Sequence, residues 1–531
     1  MAPAALPQSA DYVIVGGGTS GLVLASRLSE DPNVNIVVLE SGPDRTTDPE
    51  VRDPLVWRAL SGSDLDWKPR TTPQGGLNNR TLDHPAGRVL GGSSTINGLV
   101  LTSPSPAGMD AWAKLGNPDW TWETFKPYLQ KSYTVPGKAV EGVIKTMEPT
   151  LVDGVDNTLV QAWIDAHAEE GYLKATDFEG EERTIGVRPF TATIDPATGT
   201  RSSADNTYGA VASACPNVTI VTGATVKRIL FSEGITASGV KVDYKGSSVT
   251  VGAVKEVILA AGAFHTPKLL ELSGVGDTER LKSLGIPPVL HSSGVGENLQ
   301  NHTMGVIPVP LKDNPDLADV KPGIQALAFR QLDPNDITEV LKQKQEWNGD
   351  EEVIKSLLQS PNEASAYSLI GMMQNLAIVV VMLTFPFSRG SVHIRSADPG
   401  APPIIDPRLL SNDLDIEFLA RHVQALRRLL SSPAFQPLLQ SPREPSELAK
   451  LKTTLRESMA STAHHACGTA AMLPKEHGGV VDQDLKVYGT TNLRIVDASI
   501  FPLIPHANPM ATVYGVAERA ADLIKGAIGD N

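Results

Sequence analysis

Asp11-Tyr12-Val13-Ile14-Val15-Gly16-Gly17-Gly18-Thr19-Ser20-Gly21-Leu22 is the stretch that decides the fold of this chain. The apolar run ending at Val15 is bounded by glycine and reads as a buried strand. Gly16, Gly18 and Gly21 then form G-x-G-x-x-G. The first glycine allows the tight turn, the second lets a pyrophosphate approach the backbone at a helix N-terminus, and the third lets helix and strand pack closely. Leu22, Ala25 and Leu28 give a helical face, and Asn35 to Leu39 is a second strand ending at Glu40. Glu40 lies 19 residues beyond Gly21, where a carboxylate accepts from ribose hydroxyls. This strand–helix–strand unit is of dinucleotide-binding type, and by itself it does not separate NAD from FAD.

Around this unit the chain has 531 residues, room for three or four domains of roughly 150 residues or for one or two larger ones. The formal charge is -14 with no basic stripe, which argues against nucleic-acid binding. Two cysteines, Cys215 and Cys467, build neither a disulfide framework nor a metal cluster. The opening MAPAALPQSADYVIVGGG has no basic region followed by an apolar run, so no secretory signal is read there. The most apolar stretch, Leu376 to Phe387, is too short to span a membrane. The expectation is a cytoplasmic protein without a membrane span.

Strand signals return at Val218 to Val221, Ala224 to Val242 and Glu256 to Leu259, whereas residues 103–130, with Trp112, Trp120 and Trp122, read as a surface excursion on aromatic anchors. From 304 to about 450 the texture changes to a charged helix-like piece (Asn335 to Leu358), a strand run (Leu376 to Thr384) and a helical stretch (Leu414 to Leu430). After 457 the glycine-rich, short-strand texture resumes. The predicted fold class is therefore α/β: a discontinuous Rossmann-like domain over residues 10–150, 190–303 and 457–531, and an α+β substrate domain with an antiparallel sheet over 151–189 and 304–456.

Three further loops suit phosphates. They are Gly87-Arg88-Val89-Leu90-Gly91-Gly92-Ser93-Ser94-Thr95-Ile96-Asn97, then Gly262 to Gly276 (GAFHTPKLLELSGVG), and Gly294 to His302 (GVGENLQNH). Near the C-terminus come His464-His465-Ala466-Cys467-Gly468-Thr469, Leu493 to Ser499 (LRIVDAS), and Pro505-His506-Ala507-Asn508-Pro509-Met510. In this order the series resembles the glucose–methanol–choline (GMC) oxidoreductase family from Tyr12 to about Ile524. The chain departs from that family's pattern at Leu101 and at Asn301, where an aspartate is usual.

The resemblance implies FAD as cofactor. It implies cofactor contacts at Gly16, Gly18, Thr19, Ser20, Gly21 and Glu40, at Arg88, Gly91, Gly92, Ser93, Asn97 and Gly98, and at Val226, Asp497, Ala498, Pro509 and Met510. Ile96 stands where some members carry the histidine that binds FAD covalently, so a non-covalent flavin is expected. His-x-x-Gly-Thr puts the active-site histidine at His465, and the second catalytic position, 43 residues on, is Asn508. This is the family's His–Asn type.

The chemistry agrees with that reading. Alcohol oxidation needs a base for the hydroxyl proton and an acceptor for the hydride. A neutral imidazole suits the first task and flavin N5 the second. An amide hydrogen-bonds a developing alkoxide without competing for its proton. Asn508-Pro509 also reads as a plain N-cap with Pro at N1, which would aim the positive end of a helix at the flavin. His464 is expected to point elsewhere, His506 to support or compete for the base role, His302 to be structural and Cys467 to be core beside the site. Trp67, Phe385 and Phe387 read as pocket lining or plain core. The expected partners are a small-molecule alcohol and oxygen or a quinone-like electron acceptor. The alternative activity is that of a same-fold lyase, cyclase or photodecarboxylase without net alcohol oxidation.

Overall fold

Strand β1 (Ser9–Val15), helix α1 (Thr19–Leu28) and strand β2 (Ile36–Glu40) form the expected opening unit. They belong to a computed structural model that describes residues 6–136, 141–152, 154–175, 184–440 and 447–529. The ends of the chain, which entered the localisation expectation, lie partly outside the described residues. In chain order, with shorter elements between, follow helices α2 (Pro106–Lys114) and α3 (Trp122–Ser132) and strands β3 (Gly186–Pro189), β4 (Val218–Thr222), β5 (Ala224–Ser232), β6 (Thr236–Tyr244) and β7 (Ser247–Leu259). Then come helix α4 (Gly262–Leu272), strands β8 (Thr303–Pro310), β9 (Gly323–Arg330), β10 (Ala366–Met373) and β11 (Leu376–Leu383), helix α5 (Asp413–Leu429), strands β12 (Ala460–Thr462) and β13 (Leu493–Ile495), and helix α6 (Met510–Gly529).

The architecture is α/β. Seven strands make the first sheet in the order β4-β2-β1-β7-β6-β5, with β13 also on β7. The pairs β1–β2, β2–β4, β1–β7 and β7–β13 are parallel, while β6 is antiparallel to both β7 and β5. Val13, Ile14, Val37 and Val38 are fully buried, as strands covered on both faces require. The chain leaves β1 for β2 on one side, and β7 closes on the other. This is the switch point outside whose strand ends such sheets bind ligands. Strand β13 and helix α6 come from beyond residue 457, so this half of the protein is discontinuous in sequence.

The second sheet is antiparallel throughout, in the order β12-β8-β11-β10-β9-β3. Its residues alternate between two faces, with one register shift in β9 between Ile324 and Ala326. Ile307, Val379 and Val381 face the main core under α5, where Val423 meets Gly305. Val380, Met382, Leu327, Phe329 and Tyr367 form a separate cluster on the other face. Among the described residues no helix is long and apolar enough to cross a membrane.

Four details differ from the sequence reading. Ala224 to Val242 is two strands, because Gly234 takes φ +69° and turns the chain. Asn335 to Leu358 is two helices, Pro334–Leu341 and Gly349–Gln359, each with its own side-chain cap, Asp333 and Asn348. Residues 103–130 are no surface excursion: Trp112 and Trp120 are buried, and their indole N–H groups donate to the Leu503 and Gln483 carbonyls. The boundary at residue 457 falls before β12, which pairs with β8 of the second sheet.

Candidate active site

A cavity of about 790 Å³ lies between the two sheets, within the range of about 300–1,000 Å³ usual for cofactor and ligand sites. Its walls include Gly16, Gly18, Thr19 and Ser20 of the first loop, Glu40 at the end of β2, Arg88, Gly92, Ser93, Asn97 and Gly98 of the second loop, and Val226. Asp497, Ala498, Asn508, Pro509, Met510 and His465 complete the set expected from the sequence. Of the expected residues only Gly21 and Gly91 stand off the wall. Gly21 is a packing glycine, since a Cβ there would meet the Gly16 carbonyl oxygen at 2.0 Å. Gly91 has φ +89° and donates its N–H to the Gly17 carbonyl at 2.7 Å.

The dinucleotide end is built from backbone. Helix α1 has no side-chain cap at Gly18, so its first N–H groups face the cavity, where an anion is favoured. The Ser20 hydroxyl there is buried without a partner. Gly92 takes φ +55°, and a Cβ on it would lie 2.8 Å from the Gly18 Cα, so the two loops approach each other only as glycines. Arg201, which the sequence reading missed, is fully buried and donates to Asn97 Oδ1 (3.0 Å) and to the Ser94 carbonyl (3.3 Å), clamping the second loop.

Two carboxylates work differently from the bare motif. Glu40 accepts from the N–H of Gly17 (2.9 Å) and of Gly42 (2.7 Å), and burial pushes its pKa up to about 7. Asp497 accepts from Gly262 N, Thr266 Oγ1 and Ser499 N at 2.6–2.9 Å, tying α4 to the turn after β13; burial raises its pKa.

At the other end a hydrogen-bonded chain runs through His465 and Asn508. His302 Nε2 faces the Thr384 carbonyl at 3.2 Å, and His302 Nδ1 faces His465 Nδ1 at 2.8 Å. His465 Nε2 faces Asn508 Nδ2 at 3.0 Å, and the Tyr367 hydroxyl donates to Asn508 Oδ1 at 2.8 Å. A carbonyl only accepts, so His302 carries its proton on Nε2 and offers a lone pair at Nδ1. His465 then donates from Nδ1 and keeps its lone pair at Nε2, toward the cavity and the Asn508 amide. Burial, then the neighbouring His302, His464 and His84, hold the His465 pKa well below its usual value, so the ring is neutral. Burial likewise holds His302 at about 4. Asn301, the departure from the family's aspartate, accepts the His465 backbone N–H at 3.0 Å and donates to Thr462 Oγ1.

The other candidates separate cleanly. His464 lines the cavity with φ +63°, its ring edge-on to His84. His506 is buried away from it, with ring nitrogens facing Glu363 (3.2 Å) and the Ser103 carbonyl (3.1 Å). Cys467 is buried and free, and burial raises its pKa. Trp67 lines the cavity under the Arg88 guanidinium, whereas Phe385 and Phe387 are core. His302 and Tyr367 are the hydrogen-bond neighbours of His465 and Asn508 that sequence missed or undervalued. Only the position of His302 in the fourth loop hinted at it.

The chain belongs to the GMC oxidoreductase family: the family's N-terminal model matches residues 10–304 and its C-terminal model residues 386–517. It is 34% identical to a dehydrogenase of Armillaria gallica over 97% of this chain and 93% of that protein. Among solved structures it is similar to an FAD-dependent oxidoreductase from Chaetomium thermophilum (TM-score 0.89, 29% identity, 98% and 99% of the two chains). It is also similar to a fungal aryl-alcohol oxidase (TM-score 0.85, 28% identity, 98% and 100%). It is thus an oxidoreductase with FAD as cofactor, and the uncapped helix, the apposed glycines and the orphan Ser20 hydroxyl fit that group. Ile96 has no nucleophile to bond it. Acid denaturation should therefore release yellow flavin into the supernatant; flavin retained in the pellet would contradict a non-covalent site.

Proposed function

We propose that the protein oxidises an alcohol to a carbonyl compound, with His465 as general base and Asn508 as hydrogen-bond partner of the developing alkoxide. The observation that carries this reading is the 3.0 Å contact of His465 Nε2 with Asn508 Nδ2 at the wall of the cavity. FAD, when bound, supplies the hydride acceptor. A hydroxyl that comes between the two side chains gives its proton to the Nε2 lone pair and receives a hydrogen bond from the amide. Tyr367 holds the Asn508 oxygen, so the amide N–H₂ is the edge left for the substrate. The His302 lone pair holds the His465 tautomer and then takes the same hydrogen bond from the imidazolium. Gly21 and Gly91 apart, the residues named from the family's spacing as cofactor contacts are proposed to hold FAD in the same cavity.

The test is anaerobic addition of a primary alcohol to the holoenzyme. Loss of the flavin's visible absorbance with formation of one equivalent of carbonyl product supports the reading. A flavin that no alcohol bleaches, or a carboxylate that loses CO₂ only in light, overturns it in favour of a same-fold lyase, cyclase or photodecarboxylase.

His302 has its own prediction. His302→Leu removes the acceptor for His465 Nδ1–H and frees the ring to take the wrong tautomer. Flavin reduction should fall about 10- to 100-fold, the usual worth of a group that orients a reacting one. His302→Gln, whose amide oxygen can accept that N–H, should recover most of the rate. Equal loss in both variants would assign His302 a packing role only.

A further inference from the structure

The wall facing His465 and Asn508 has a chemical character of its own. From β8 come Met304 and Val306, from β10 Leu369, and from β11 Ile378, Val380 and Met382. They form one continuous surface, because Met304 pairs with Met382, Val306 with Val380, and Leu369 with Val380 in the antiparallel register. Tyr367 stands two residues before Leu369, on the same face, and touches Asn508. The surface therefore runs outward from the reacting end of the cavity.

No residue that the second sheet lends to the cavity carries a charge or a hydrogen-bonding side chain. The charged lining groups Glu40, Arg88, Lys227, Lys268 and Asp497 all stand on the first sheet, its loops and helix α4, and Arg58 is exposed against Met373. Met304, Val306, Ile324, Leu369 and Ile378 remain half-buried, whereas the residues between them on the opposite face are packed under α5. Apolar side chains lining an open cavity call for an apolar complement.

We propose that this surface is the substrate wall and that it takes an uncharged alcohol with an apolar carbon skeleton, alkyl or aryl, while rejecting polyols and cationic amino alcohols. The proposal rests on the reading of His465 and Asn508 as the partners of the reacting hydroxyl. Every further hydroxyl on the substrate would be buried against the wall without a partner, and a cation would lose its hydration with no counter-charge. Each methylene laid on the wall gains about four-fold in kcat/KM, the fold-change equivalent of about 0.8 kcal/mol per buried CH₂.

The experiment compares ethanol, 1-butanol, 1-hexanol and benzyl alcohol with glucose and choline as reductants of the holoenzyme flavin without oxygen. The expected result is kcat/KM rising with chain length and glucose and choline at least about 100-fold below 1-hexanol. Leu369→Asn and the near-isosteric Val306→Thr should each lower kcat/KM for 1-hexanol about ten-fold, mainly through KM. Toluene, which has no hydroxyl, should perturb the flavin spectrum on binding, and Leu369→Asn should weaken that binding. Glucose or choline matching 1-hexanol overturns the proposal, as does toluene failing to bind. Toluene binding with no alcohol bleaching the flavin would keep the apolar wall and overturn alcohol oxidation instead.

Discussion

His465→Ala lowers the rate of flavin reduction by an alcohol about 10²- to 10⁴-fold, the range for loss of a positioned general base. FAD remains bound in the variant, because the backbone that cradles the phosphates is carried by α1 and the second loop, far from residue 465 in the chain. Stopped-flow absorbance separates the two quantities, since flavin content is read before mixing and reduction after it. The pH profile of the unsubstituted protein is the second readout. The His465 pKa is held well below its usual value by burial, and the neutral, active form is the one present above that pKa. Reduction should therefore stay level as pH falls through the ordinary imidazole value of about 6.5 and decline only at lower pH. A decline centred on the ordinary value would mean that the base is an exposed imidazole. His506→Ala is the comparison. Should it abolish reduction while His465→Ala leaves the rate near normal, the two roles are reversed.

Asn508→Ala should slow reduction about 10²-fold, the cost of removing one donor aimed at developing negative charge. That is less than the largest loss expected for His465→Ala, because the proton acceptor stays in place. Asn508→Asp should be slower still at neutral pH, by about a further ten-fold, and for a different reason. A carboxylate beside His465 Nε2 stabilises the imidazolium and removes the lone pair that the reaction needs, and it also repels the alkoxide. The sign follows: the His465 pKa rises, so the rate of Asn508→Asp should climb with pH where that of Asn508→Ala is flat. A level profile for Asn508→Asp would show that Asn508 does not face the base in solution.

The opening unit was legible because its causes are local. A buried strand, three glycines, a helical face and an acid all lie within the thirty residues from Asp11 to Glu40, and each acts on its immediate neighbours. His465 and Asn508 were reachable because a fixed spacing in a familiar series carries them, and the chain places them 3.0 Å apart across 43 residues. Trp112 and Trp120 misled because aromatic density is compatible with surface or core; their burial depends on the turns that bring Leu503 and Gln483 over them.

Sequence by itself thus determined the nucleotide-binding half and, through the resemblance carried by the later motifs, the FAD cofactor, since the first depends on backbone freedom at glycine and the second on motif order and spacing. Tertiary structure alone decided which nitrogen of His465 is free. That depends on a chain of hydrogen bonds from the Thr384 carbonyl through His302 to Asn508 and Tyr367, whose members come from the strands and strand ends of the second sheet and from the loop before α6. It alone decided the apolar wall as well. Met304, Leu369 and Val380 lie in three different strands, and only the antiparallel register brings alternate residues of all three onto one face. Periodicity within one strand says which residues share a face; it does not say which strand lies beside it or what that face will meet.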